Sequence, residues 1–137
     1  MGRYEIFATT ADAGIRFQGR DFAELYGNAL RGLNLLLFGR NSRPPAGGGS
    51  RRFRFRGDGP ENVLVNLLSE ALFLVYHEGK RVAASEFRHA GRNSVDARLL
   101  LAPLTRAPAM EVKSATYHDL RVEQRGGILS AAVVLDI

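Results

Sequence analysis

The chain contains no cysteine. That excludes a disulfide framework, thiolate zinc sites and a cysteine nucleophile, and it leaves the redox compartment undetermined. Lysine is nearly absent too. Lys80 and Lys113 are the only two, so the formal charge of +5 and the pI near 10.2 are carried by arginine. A basic chain suits RNA or another anionic partner. A GC-rich genome, which raises Arg, Ala and Gly together, gives the same balance, and the 15 glycines fit that. No run is long and apolar enough to span a bilayer; the most apolar, Val63 to Tyr76, is broken by Asn66, Ser69 and Glu70. The first residues, Met-Gly-Arg-Tyr-Glu-Ile, lack a basic-then-apolar signal, so a cytoplasmic location and no membrane contact are expected. Gly-x-Ser-x-Gly, a phosphate loop, His-Glu-x-x-His and a dinucleotide fingerprint are all missing. A self-sufficient enzyme is therefore disfavoured.

What is present fits one domain, residues 1–137, with a hydrophobic fraction of 45% that can build a single core. Arg3 to Thr9 alternates as a first strand, with Tyr4, Ile6 and Ala8 on one face, and Thr10 to Gly14 makes a small-residue turn. Ile15 to Gln18 is a second strand. Asp21 followed by Glu24 starts a helix in capping-box fashion. Phe22, Leu25, Tyr26, Ala29, Leu33 and Leu36 give that helix an apolar face. Asn41 to Ser50 is a Pro/Gly-rich loop. Gly59-Pro60-Glu61 opens a second helix that is apolar nearly all round, with Phe73 and Tyr76 included, and is predicted to be central and buried.

Lys80 to Ala90 and Ser94 to Ala102 form a hairpin around Gly91-Arg92-Asn93. Glu111 to Thr116 is extended. Asp119 to Gln124 and Ile128 to Asp136 form a last hairpin across Arg125-Gly126-Gly127. This order predicts an α+β domain, a mainly antiparallel sheet packed against two helices.

Arg51-Arg52-Phe53-Arg54-Phe55-Arg56 alternates cation with aromatic. Aromatic faces stack bases and arginines meet phosphate, which would make a nucleic-acid stripe. Period-2 geometry separates the two sets: Phe53 and Phe55 share one face, and Arg52, Arg54 and Arg56 share the other. A half-buried strand with a solvated basic face explains the pattern without a ligand.

Few residues could carry chemistry. Asp12 lies in the first turn, where an aspartate commonly bonds its own backbone. Asp136 ends an apolar strand beside the carboxylate of Ile137, and a carboxylate there must reach water, a cation or several donors. With no thiolate, an oxygen-only site suits Ca²⁺ or Mg²⁺. Nothing in the spacing brings Asp12 to Asp136. His77 and His89 read as capping or surface residues. His118 and Asp119 are neighbours, and on a strand neighbours point apart. His118 is the one candidate base for a metal-dependent hydrolase.

Four stretches taken together resemble the archease family, accessory proteins of the RtcB-type RNA-splicing ligase. They are Tyr4–Phe7 with Thr10–Ile15, Val63–Phe73, Glu111–Leu120, and Val133–Ile137. Lys113-Ser114-Ala115-Thr116-Tyr117-His118-Asp119-Leu120, with a sequence ending in Asp136-Ile137, is the specific part. The resemblance implies a fold in which the first turn meets the chain end. It also implies a divalent cation, calcium in known members, held by Asp12, Asp136 and the terminal carboxylate of Ile137. As to role, it implies a non-catalytic activator that promotes guanylylation of the ligase and its repeated turnover, so that RNA is met through the ligase. Lys113 and His118 are then expected at the partner contact or in support of it. Thr9, Asn66 and Ser69 depart from the family's histidine, acidic and asparagine positions.

Overall fold

The computed structural model describes residues 3–8, 12–39 and 47–137. Thr9 of the predicted first strand, Thr10 and Ala11 of the predicted first turn, and Asn41 to Ala46 of the predicted loop lie outside them. Within them the chain forms two helices and two antiparallel sheets.

The first sheet begins with β1 (Tyr4–Ala8) and β2 (Ala13–Gly19), paired so that Tyr4 faces Phe17 and Ala8 faces Ala13. β2 then pairs with β8 (Ile128–Asp136) from Gly19–Leu129 to Ala13–Leu135. The other edge of β8 carries β7 (Glu123–Arg125) near its start and β6 (Ser114–Ala115) at its end. Alternation sets the faces: Ala13, Ile15, Phe17, Leu129, Val133 and Leu135 are buried, and Gly14, Arg16, Gln18, Ser130 and Val134 point away from the core. Each fully buried Leu or Ile contributes about 1.5–3 kcal/mol relative to exposure. That is why β8 holds its register to its last residues.

The second sheet has the order β3 (Ser50–Arg56), β5 (Ser94–Pro103), β4 (Lys80–Ala90). Phe53 and Phe55 face inward and Arg52, Arg54 and Arg56 outward, as the alternation predicts. Arg51, on the inner side, reaches across to Glu70 at 3.0 Å and Glu78 at 2.6 Å.

α1 (Phe22–Phe38) packs on β1, β2 and β4; α2 (Pro60–Glu78) packs on β3, β4, β5 and β6, so both helices are shared between the sheets. Asp21 caps α1 by accepting from the Glu24 N–H at 2.8 Å, while Glu24 reaches back to the Arg20 N–H at 3.1 Å. The buried Asn28 donates to the Gln18 carbonyl, so α1 is tied to the end of β2. α2 starts on Pro60 and ends on Gly79, whose left-handed φ of 65° suits glycine.

Several boundaries differ from the sequence reading. Ala13 and Gly14 belong to β2, because β8 offers them a ladder. Gly48 and Gly49 exchange backbone bonds with Leu101, so the end of the predicted loop already runs alongside β5. Only Ser114–Ala115 of the predicted 111–116 strand pairs. The last hairpin is shorter, with a two-residue turn at Gly126-Gly127, both at positive φ, which continues the strand twist. α2 is not buried all round: Phe73 and Tyr76 are 46% and 40% exposed. The inner layer covers one side and part of the flanks, and those two rings fall beyond it.

Candidate functional site

The ends of β2, β8 and β6 meet at one corner of the first sheet. Ala13 is opposite Leu135 and Gly14 opposite Val134, and the ladder ends there, so Asp12 and Asp136 each adjoin its last pair. Asp136, the last residue of β8, belongs to the outward set with Val134, since side chains alternate. The fold thus supplies the proximity that sequence spacing lacked. Asp136 is exposed and Asp12 partly buried, and Ile137 follows at 41% exposure.

The third strand at this corner fixes Lys113. Its N–H donates to the Asp136 carbonyl at 2.7 Å, and Ser114 is the direct partner of Asp136. Tyr76 sets the approach of this segment. Its hydroxyl donates to the Met110 carbonyl at 3.3 Å and accepts the Val112 N–H at 2.8 Å, while the Val112 side chain is buried. Alternation then sends the Lys113 side chain outward, where it is exposed. Ser69, Leu72, Phe73, Tyr76, His77, Lys113 and Ser114 line a shallow pocket of about 210 Å³ beside the corner. The Phe73 and His77 rings stack there with centroids 4.8 Å apart.

On the other flank, the Phe7 ring lies over Gly14, where a Cβ would strike Phe7 Cζ, and the Arg16 guanidinium sits 4.2 Å from that ring. The sequence signal for this was available: an aromatic facing a glycine across a hairpin. Ser114 was not readable as a neighbour of Asp136, because a two-residue strand leaves no alternation to detect.

His118 is not at the corner. It lies in the turn after β6, closed by the Leu120 N–H on the Tyr117 carbonyl at 3.0 Å. Asp119 sits there at φ 53°, a left-handed conformation that aspartate tolerates. The expectation that His118 and Asp119 point apart is corrected. In a turn, not a strand, His118 Nε2 comes 3.3 Å from Asp119 Oδ2, with the side chains 71% and 88% exposed. Such an exposed pair contributes little. Asn66, at the family's acidic position, donates to the Asn62 carbonyl of its own helix at 2.8 Å. Asn62 in turn donates to the Tyr117 hydroxyl at 2.8 Å.

The donor chemistry of Asp12 and Asp136 fits a hard cation: two side-chain carboxylates and the neighbouring backbone carbonyls are all oxygen. Among the described residues no three His, Asp or Glu side chains converge. The side chains of Asp12 and Asp136 would therefore need further oxygen ligands to hold a metal ion. No described helix is long and apolar enough to cross a membrane.

The Archease protein family matches residues 4–137. Protein archease of Sulfurisphaera tokodaii is 27% identical over 146 residues, and the match covers 100% of both chains. The solution structure of Methanobacterium thermoautotrophicum protein 1598 superposes with a TM-score of 0.75 at 25% identity, again covering 100% of each. The crystal structure of an archease, possible chaperone, from Thermotoga maritima gives 0.69 at 19% identity, over 96% of this chain and 94% of that one. At that identity the likeness concerns the fold.

Proposed function

Because the chain belongs to the archease family over residues 4–137, we propose that it is the non-catalytic activator of an RtcB-type RNA ligase. In this role it promotes guanylylation of the ligase and its repeated turnover in the cytoplasm. The observation that supports the reading is the Ala13–Leu135 pair that closes the β2–β8 ladder, with Asp12 and Asp136 as its immediate neighbours. Carboxylates brought to one corner repel each other, and a hard cation held between them removes that repulsion. Asp12, Asp136 and the Ile137 carboxylate hold a divalent cation, Ca²⁺, which supplies charge neutralisation when bound. The outward Lys113 gives the partner an ammonium group beside that corner, and His118 supports the contact from the turn that follows β6.

The test is guanylylation of the ligase with substoichiometric amounts of this protein. Stimulation beyond one event per added molecule is expected from wild type. Asp12→Ala, Asp136→Ala and a form extended beyond Ile137 should lose stimulation with circular dichroism unchanged. Full stimulation by the extended form would remove the terminal carboxylate from the ligand set. Collapse of the dichroism in the alanine variants would make the acids structural.

A further inference from the structure

The outer face of the second sheet is covered by neither helix. Its outward positions are Arg52, Arg54 and Arg56 of β3, Asp96 and Arg98 of β5, and Glu86 and His89 of β4. A register irregularity between Phe87 and His89 adds Arg88 to the same region. Five guanidinium groups therefore share this surface with two carboxylates. Asp96 sits among them: Arg52 holds it through two bonds of 3.1 and 2.8 Å, and Arg54 stands 3.8 Å away. Glu86 lies 3.8 Å from Arg98. Arg56 has no acidic partner among the described residues. Arg52, Arg88, Glu86, Asp96 and Arg98 line a shallow depression of about 480 Å³.

We propose that this face binds the phosphodiester backbone of a nucleic acid, without regard to base sequence. That the strand is the ligase's RNA rests on the function proposed above; the binding itself does not. Arginines at every second residue of β3 repeat at about 6.6–6.8 Å along an extended chain, and the guanidinium fork suits phosphate oxygens. The centrally held Asp96 prevents the cations from splaying and fixes Arg52 in place.

An acidic protein is the competing occupant, and the make-up of the face disfavours it. The described large hydrophobics that are exposed, Ile6, Phe73, Tyr76, Tyr117, Ile128 and Ile137, all lie off this face. Protein interfaces draw their energy from buried apolar and aromatic anchors, whereas nucleic-acid interfaces are polar and positively charged. Phe87 lines the depression but belongs to the inward set of β4, and the described outward positions hold no Phe, Tyr or Trp on which bases could stack, so the phosphates and not the bases are gripped.

The experiment titrates a fluorescent single-stranded oligoribonucleotide with the intact protein over a range of salt. With three phosphates neutralised, log K should fall against log salt with a slope of about −2. Arg54→Ala/Arg56→Ala/Arg88→Ala should flatten that slope towards zero, and the matching lysine triple variant should restore it. Arg3→Ala/Arg20→Ala/Arg125→Ala removes the same charge from exposed positions on the first sheet and at the start of α1, and should leave the slope unchanged. An equal loss in that control set, no salt-dependent binding by wild type, or displacement by polyglutamate as effective as by RNA would each overturn the proposal. Asp136→Ala should bind RNA normally. Loss of ligase stimulation with retained RNA binding therefore separates the two readings.

Discussion

Ala13 stands opposite Leu135 across the β2–β8 ladder, with both side chains buried. A slip of one residue would send Leu135 into water and turn Asp136 inward, so the core pair keeps Asp136 on the outer face. Leu135→Ala is expected to destabilise the protein by about 2–5 kcal/mol and to reduce ligase stimulation as the strand end frays. Val134→Thr, on the outer face, should stay within about 0.5 kcal/mol. Urea midpoints and guanylylation rates read the two effects. Equal costs for both variants would mean that register is not set by this pair.

The parts of the fold that were legible in the sequence are those with a period. The faces of β3 and β8, the Asp21 cap, the Pro60 start of α2 and the 80–102 hairpin all follow from local spacing. The core side of α2 was also legible, but the exposure of Phe73 and Tyr76 was not. A helix that is apolar nearly all round does not announce which arc the rest of the chain leaves open. The approach of Asp12 to Asp136 was invisible to spacing because β2 and β8 are separated by more than a hundred residues, and pairing at that separation depends on the whole core. The resemblance implied it, and the ladder brings their neighbours Ala13 and Leu135 together. His118 was misjudged locally, since the turn at Tyr117–Leu120 contains neither glycine nor proline.

Glycines at two close approaches should differ in tolerance, according to what an added Cβ meets. At Gly14 it strikes the Phe7 ring, a side chain on an edge strand that can swing aside. At Gly48 it strikes the Leu101 carbonyl, part of a ladder that cannot move. Gly14→Ala should cost about 1 kcal/mol and Gly48→Ala about 3 kcal/mol. The Gly14→Ala loss should also shrink in a Phe7→Ala background. Denaturant titration of the three proteins checks the order, and the reverse order would show that the Gly48 segment yields more easily than the ring.

Acid titration should report the Asp96 cluster. Hydrogen bonds from Arg52 hold its carboxyl below the usual carboxylate range, helped by the charges of Arg52, Arg54 and Arg88 and opposed by desolvation. With the folded value depressed, the contribution is fully present above the ordinary carboxylate pKa of about 3.9. It is lost as pH falls through the lowered folded value. Asp96→Asn should therefore weaken the protein at neutral pH and show a shallower decline into acid than wild type. Parallel acid limbs for the two proteins, measured as urea midpoints, would assign that decline to other carboxyls.

The alkaline limb belongs in part to Tyr26. Its ring is fully buried between Phe22 and Phe87, and its hydroxyl donates to the Gly91 carbonyl at 2.6 Å, tying α1 to the β4–β5 turn. Burial pushes the phenol well above its ordinary value, and the Glu61 charge adds to this against a small opposing effect of Arg92. The native state therefore keeps its proton where the unfolded chain has begun to lose it. That stabilisation is complete below the ordinary phenol pKa of about 10 and is lost as pH rises from there towards the raised folded value. Tyr26→Phe removes both the bond and the linkage. It should cost about 0.5–1.5 kcal/mol at neutral pH and flatten the loss of stability in alkali. Phenolate absorbance gives an independent reading: one tyrosine of the native protein should remain protonated until unfolding, and that lag should vanish in the variant. If native wild type showed all its phenols titrating at the ordinary value, the Tyr26 hydroxyl could not be the buried tie between α1 and the β4–β5 turn.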